Sequence, residues 1–127
     1  MAREIIATPN APKAIGTYSQ AVKVGKTVYV SGQIAIDPAT GELVQTSIDA
    51  EIRRVFENLK AIVSAAGGNF SQVTRATVFI LDFAHFATLN KIMAEYFSEP
   101  YPSRVTVQVS ALPKNANVEI DCIVELD

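Results

Sequence analysis

Arg104 and Glu119 are opposite charges set in two segments that otherwise alternate apolar and polar residues at the two-residue period of a β-strand. Arg104 heads the run Arg104-Val105-Thr106-Val107-Gln108-Val109-Ser110-Ala111-Leu112, so Arg104, Thr106, Gln108 and Ser110 share one side. Val118 to Leu126 places Val118, Ile120, Cys122, Val124 and Leu126 on one side, with Glu119, Asp121, Ile123 and Glu125 on the other. A guanidinium can grip an anionic group through a planar fork of hydrogen bonds, and a carboxylate can hold water and move a proton. The pair is therefore a candidate site. The plainer reading is an ion pair that staples subunits together.

The elements that must position this pair follow from the same alternation. Pro113-Lys114-Asn115-Ala116-Asn117 suits a connection between antiparallel neighbours, which would put Arg104 and Glu119 on the same side of one sheet. Upstream, Tyr18 to Val24 and Thr27 to Ile36 read as strands joined by a Gly25-Lys26 turn. Asp37 to Gly41 breaks the pattern, and Thr46 to Ala66 then carries Ile48, Ile52, Val55, Phe56, Leu59, Ile62 and Val63 at helical spacing. Thr46 followed by Asp49 fits its N-terminal cap, and Gly67-Gly68 its left-handed stop. Val73 to Leu81 reads as another strand, and Asp82 as the cap of a second helix carrying Phe83, Phe86, Leu89, Met93, Tyr96 and Phe97. The expected order is ββαβαββ in one domain over residues 1–127, an α+β layer with two helices covering one face of a sheet.

The other sheet face is expected to hold Tyr29, Ser31, Gln33, Thr77, Phe79, Thr106, Gln108, Ser110 and Ile123. Such a face is too apolar for open water and too polar for a core, so it should pack against another subunit. A net charge of −2 and a pI near 5.4 disfavour a phosphate backbone as partner. The apolar stretch Ile5-Ile6-Ala7 is too short for a signal-peptide core or a membrane span, which points to a cytoplasmic protein. One cysteine and one histidine leave no material for an internal disulfide or a Cys/His zinc cluster. Cys122, on the apolar side of its strand, reads as an inert core thiol.

The run P-S-R-V-T-V-Q-V-S-A-L, followed after P-K-N-A-N by V-E-I, resembles the signature of the RidA/YjgF family of enamine/imine deaminases. N-A-P-K-A-I-G-T-Y-S-Q at Asn10 to Gln20, S-G-Q-I at Ser31 to Ile34, the A-A-G after the first helix, and D-F-A-H-F-A-T-L-N at Asp82 to Asn90 also look like family segments, in the family's order. The resemblance implies a chorismate-mutase-like α+β fold, a homotrimer packed through its sheets, and active sites in clefts between neighbouring subunits. It implies hydrolysis of 2-imino acids such as 2-iminobutanoate and 2-iminopropanoate to 2-oxo acids and ammonia, with no cofactor. On this reading Arg104 binds the substrate carboxylate and Glu119 holds the attacking water and returns a proton to the departing amine. Tyr18, Asn90, Ser31, Gly32 and Thr106 are carried over as substrate-binding or cleft-lining positions. Two departures stand out: Thr106 replaces a cysteine found in many deaminating members, and Thr17 replaces the proline of a G-P-Y version. The competing expectation is a non-catalytic trimer that binds small carboxylates or acts as a chaperone. Older family descriptions, translation inhibitor and endoribonuclease, suggest RNA cleavage, against which the acidic pI and the lone histidine count.

Overall fold

The computed structural model describes residues 2–127. Among them one mixed sheet carries six strands: β1 (Glu4–Ile6), β2 (Ala21–Val24), β3 (Thr27–Gln33), β4 (Val73–Ile80), β5 (Ser103–Gln108) and β6 (Val118–Glu125). Their spatial order is β1-β2-β3-β6-β4-β5. Helix α1 (Ile48–Ala65) joins β3 to β4, and α2 (Phe86–Tyr96) joins β4 to β5. The expected ββαβαββ order is thus preceded by one further strand. β1 is too short to reveal a period, and its pairing with β2, Ile5 opposite Val22, exists only in the folded sheet.

The buried stripe of α1, Ile52, Val55, Phe56, Leu59, Ile62 and Val63, packs onto the inward side chains of β3, β4 and β6. Its cap is Ser47 rather than Thr46: the Ser47 hydroxyl accepts from the Ala50 N–H at 3.0 Å. Gly67 ends the helix at φ +90°, a conformation that a Cβ would oppose, and the Gly68 N–H donates to the Val63 carbonyl at 3.0 Å. Asp82 does cap, but it caps a 3-10 turn over Phe83–His85, after which α2 begins. Phe56 of α1 stacks on Tyr96 of α2 at 5.0 Å between ring centroids, and Phe70 stacks on Phe97 at 4.6 Å. This aromatic cluster closes the helical layer at one end.

The segment holding Arg104 does not pair with the segment holding Glu119. β5 runs parallel to β4 at the sheet edge, while β6 inserts antiparallel between β3 and β4. Residues 113–117 therefore lead past the end of β4 instead of closing a hairpin, and the Leu81 N–H donates to the Asn117 carbonyl at 3.1 Å as they pass. Parallel β4 and β5 need a crossover, which α2 supplies.

Because Phe56 is fully buried at the junction of α1, α2 and the Phe70 turn, Phe56→Ala should cost about 3 to 5 kcal/mol. Urea unfolding of the variant beside wild type measures it; a loss below about 1 kcal/mol would mean that the cluster is not part of the cooperative core.

Candidate functional site

Burial along β3 alternates through Val28 and Val30, then resumes at Gln33 and Ala35, one residue out of phase. A bulge at Ser31-Gly32 absorbs the extra residue. Gln33, expected on the open face, is accordingly buried, 5% exposed. The bulge brings Gly32 against Glu119 of the neighbouring β6, so closely that any Cβ on Gly32 would collide with the Glu119 carboxylate. The Ser31 hydroxyl donates to the Ser19 carbonyl at 2.6 Å, tying the Tyr18 segment to the same bulge. Tyr18, Ser31, Gly32 and Glu119 together line a cleft of about 640 Å³ that continues over Ile34, Ile36, Pro113 and Lys114. Among the described residues nothing donates a hydrogen bond to the Glu119 side chain. Burial, and then the negative charge of Asp121, hold its pKa above the ordinary carboxylate value.

Arg104 lies elsewhere. On β5 it pairs with Ala76 of β4, which in turn pairs with Cys122 of β6, and directly paired residues share a side of a sheet. Ala76 and Cys122 are buried under the helices. Glu119 pairs instead with Phe79, which pairs with Val107. Within one protomer Arg104 and Glu119 therefore occupy opposite faces, contrary to the same-side expectation. Arg104 reaches towards α2: its Nη1 donates to Asn90 Oδ1 at 2.6 Å and lies 3.6 Å from Met93 Sδ, and its guanidinium carbon sits 5.3 Å from the Phe86 ring centroid. Its Nε and Nη2 donors have no protein partner among the described residues. With Asn90, Met93, Tyr101 and Pro102 it lines a second cleft of about 480 Å³.

Thr106, expected with Gln108 and Ser110 on the outward face, pairs with the fully buried Val78, and its Oγ1 is buried without a hydrogen-bond partner. Gln108 likewise turns to the helical side, its Oε1 accepting from the Phe83 N–H at 3.3 Å. Val105 and Val107, 38% and 37% exposed, take the outward positions beside Thr77, Phe79 and Ile123. At an uncovered edge the helical side stays partly wet and accepts polar residues, so the usual equation of apolar with inward fails there. The alternation itself held. The lining from Ile34, Ile36 and Lys114 carried no chemical signature in the sequence, since it follows from the bulge and from the path of residues 113–117.

Among the described residues no group of three or more His, Cys, Asp or Glu side chains is close enough to hold a metal ion. Among the described residues no helix is long and apolar enough to cross a membrane. Residues 8–126 match the family model described as endoribonuclease L-PSP. The chain belongs to the endoribonuclease L-PSP family, the RidA/YjgF group. A family relative from Dermatophagoides farinae, named 2-iminobutanoate/2-iminopropanoate deaminase, is 48% identical over 125 residues, 98% of each chain. RidA from an Antarctic Psychrobacter superposes with a TM-score of 0.94 at 50% identity, covering 97% of this chain and 99% of that one. Escherichia coli TdcF with bound serine superposes with a TM-score of 0.93 at 42% identity, covering 98% and 99%. The chain thus has the chorismate-mutase-like α+β fold of RidA proteins.

The raised pKa of Glu119 has a stability consequence. A carboxyl whose folded pKa exceeds its unfolded one favours folding fully below the unfolded value, roughly 4.3, and loses that contribution as pH rises through the folded value. Glu119→Gln, which has no charge to desolvate, should therefore melt above wild type at pH 7 and together with it at about pH 4. Paired thermal melts at the two pH values check this; equal melting temperatures at pH 7 would contradict it.

Proposed function

We propose that the protein hydrolyses 2-imino acids, 2-iminobutanoate and 2-iminopropanoate among them, to 2-oxo acids and ammonia, at sites completed between subunits of a cytoplasmic homotrimer. The observation that carries this reading is the placement of Arg104 and Glu119 on opposite faces, each in its own half-built cleft. A half-site with a free cationic fork and a half-site with an unpartnered carboxylate are complementary. They meet when the β5 edge of one subunit is set against the open face of the next. That docking also covers Val105, Val107, Tyr29 and Phe79. The D. farinae deaminase and the serine-bound E. coli TdcF support a site for small molecules bearing a carboxylate.

In this site Arg104 takes the substrate carboxylate through Nε and Nη2, with Nη1 anchored on Asn90 and the guanidinium carbon over the Phe86 ring. Each such charged hydrogen bond is worth about 1.5 to 3 kcal/mol. Glu119 accepts a proton from water as its oxygen attacks the protonated C=N carbon, forming the tetrahedral carbinolamine. It then returns that proton to nitrogen; the C–N bond breaks, ammonia leaves, and the hydroxyl passes its proton to the freed Glu119 carboxylate, and from there to solvent, as the C=O forms. Burial holds the Glu119 pKa above the ordinary carboxylate value, which makes it a stronger proton acceptor than an exposed carboxylate. Tyr18 and the Ser31-Gly32 bulge wall the reacting carbon, and Thr106 contributes backbone beneath Arg104. The imine is already electrophilic, so positioning supplies much of the acceleration.

The test is decay of the imine that a dehydratase forms from threonine. Wild type should accelerate it and Arg104→Ala should not, with both trimeric by light scattering. Carboxylate binding without acceleration by wild type would move the protein to a binding role.

Shared sites make a sharper prediction. Arg104→Ala and Glu119→Gln subunits, each inactive alone, should regain about a quarter of wild-type activity when co-refolded at equal amounts, because a random ring pairs an intact Arg104 with an intact Glu119 at one interface in four. No regained activity in trimers shown to be mixed would place both groups in one subunit's site.

A further inference from the structure

The buried stripe of α1 is apolar except at Glu51 and Asn58, 1% and 0% exposed, which stand two turns apart with Val55 between them. Glu51 Oε2 accepts from the Asn117 N–H at 2.7 Å, and Oε1 from Asn117 Nδ2 at 2.8 Å. Asn58 Nδ2 donates to the carbonyls of Ile34 at 3.1 Å and Ile36 at 2.9 Å. Its Oδ1 accepts from Arg54 Nε at 3.1 Å and Nη2 at 2.9 Å, which fixes the amide with its donors towards the carbonyls. Burying a carboxylate and an amide in an apolar stripe is unfavourable unless they are fully paired, and here both are.

What the two side chains hold is specific. Asn117 stands two residues before Glu119 on the way into β6, and Ile34 two residues beyond Gly32 on the way out of β3. Glu51 and Asn58 therefore grip the two strands that meet at the contact between Gly32 and the Glu119 carboxylate. The chain before Asn117 passes through Lys114 and Asn115 at left-handed φ of 56° and 60°, a conformation that persists only where the surroundings over-determine it. Gln45 Nε2 donating to the Asn115 carbonyl at 2.9 Å adds a further hold. Pro113, Lys114, Ile34 and Ile36, which line the cleft, ride on these tethered segments.

We propose that Glu51 and Asn58 are positioning residues: α1 sets the spacing between the Gly32 bulge and the start of β6, and so aims the Glu119 carboxylate. The inference rests on the reading of Glu119 as the group that activates water. Neither residue reaches the Arg104 half of the site, so loosening them should change turnover and leave carboxylate binding alone.

Glu51→Leu and Asn58→Leu, both close in volume to the residues replaced, test this in the trimer with dehydratase-generated imine. Each should lower kcat about tenfold to 100-fold, with KM within about twofold of wild type. Glu51→Gln, whose Oε1 still accepts from the Asn117 N–H while its Nε2 donates to the turned Asn117 Oδ1, should keep most of the wild-type kcat. If the leucine variants fail to assemble, Asn117→Ala, which removes the side-chain bond to Glu51 and spares the backbone one, decides alone. Unchanged kcat in trimeric Glu51→Leu, Asn58→Leu or Asn117→Ala, or a loss that appears in KM, overturns the positioning role. An active wild type whose Glu119→Gln variant is equally active overturns the reading of Glu119 instead, and the inference with it.

Discussion

Both helices lie on one face of the sheet, and the other face is left bare with Val105, Val107, Tyr29 and Phe79 on it. A bare sheet face with this composition has to be covered from outside the chain, because leaving valine and aromatic side chains in water is unfavourable by about 25 cal/mol per Å². In the proposed ring another copy of the chain supplies that cover. On the proposed reading the same arrangement leaves each cleft to be completed by a neighbour, since each opens where the sheet runs out of its own cover.

The two half-sites are built by different means. Arg104 is held by side chains of α2, through a hydrogen bond to Asn90 and a face-on approach to Phe86. Glu119 is held by backbone, through a bulge that brings a residue without a Cβ against its carboxylate. Side-chain anchoring suits a group that must adapt to an incoming anion. Backbone anchoring suits the role proposed for Glu119, whose position relative to a reacting carbon must not drift, and the hydrogen bonds of Glu51 and Asn58 tie the same two strands to α1.

Much of this was legible in the sequence wherever one period governs. The spacing of Ile52, Val55, Phe56 and Leu59 yields α1, and the alternation in Val118 to Leu126 yields β6, with Cys122 buried and its thiol pushed up to about 12 by that burial. The motif around Arg104 led to the family and its fold. Three things were hidden for identifiable reasons. The insertion of β6 between β3 and β4 is a long-range pairing that residues 113–117, rich in turn formers, disguise as a hairpin. The bulge at Ser31-Gly32 reverses inside and outside for Gln33, and a period-two reading carries no mark of an inserted residue. On β5 the valines face out because an edge strand beside an uncovered face inverts the usual sense of burial.

Placing the cation on one face and the carboxylate on the other has a genetic consequence. In the proposed ring every subunit borders two sites, lending Arg104 to one and Glu119 to the other. A subunit defective at both positions silences both of the sites that it borders, so a minority of faulty copies disables a majority of sites. Alleles of that kind would act as dominant, and a newly made chain would stay inert until it found its neighbours.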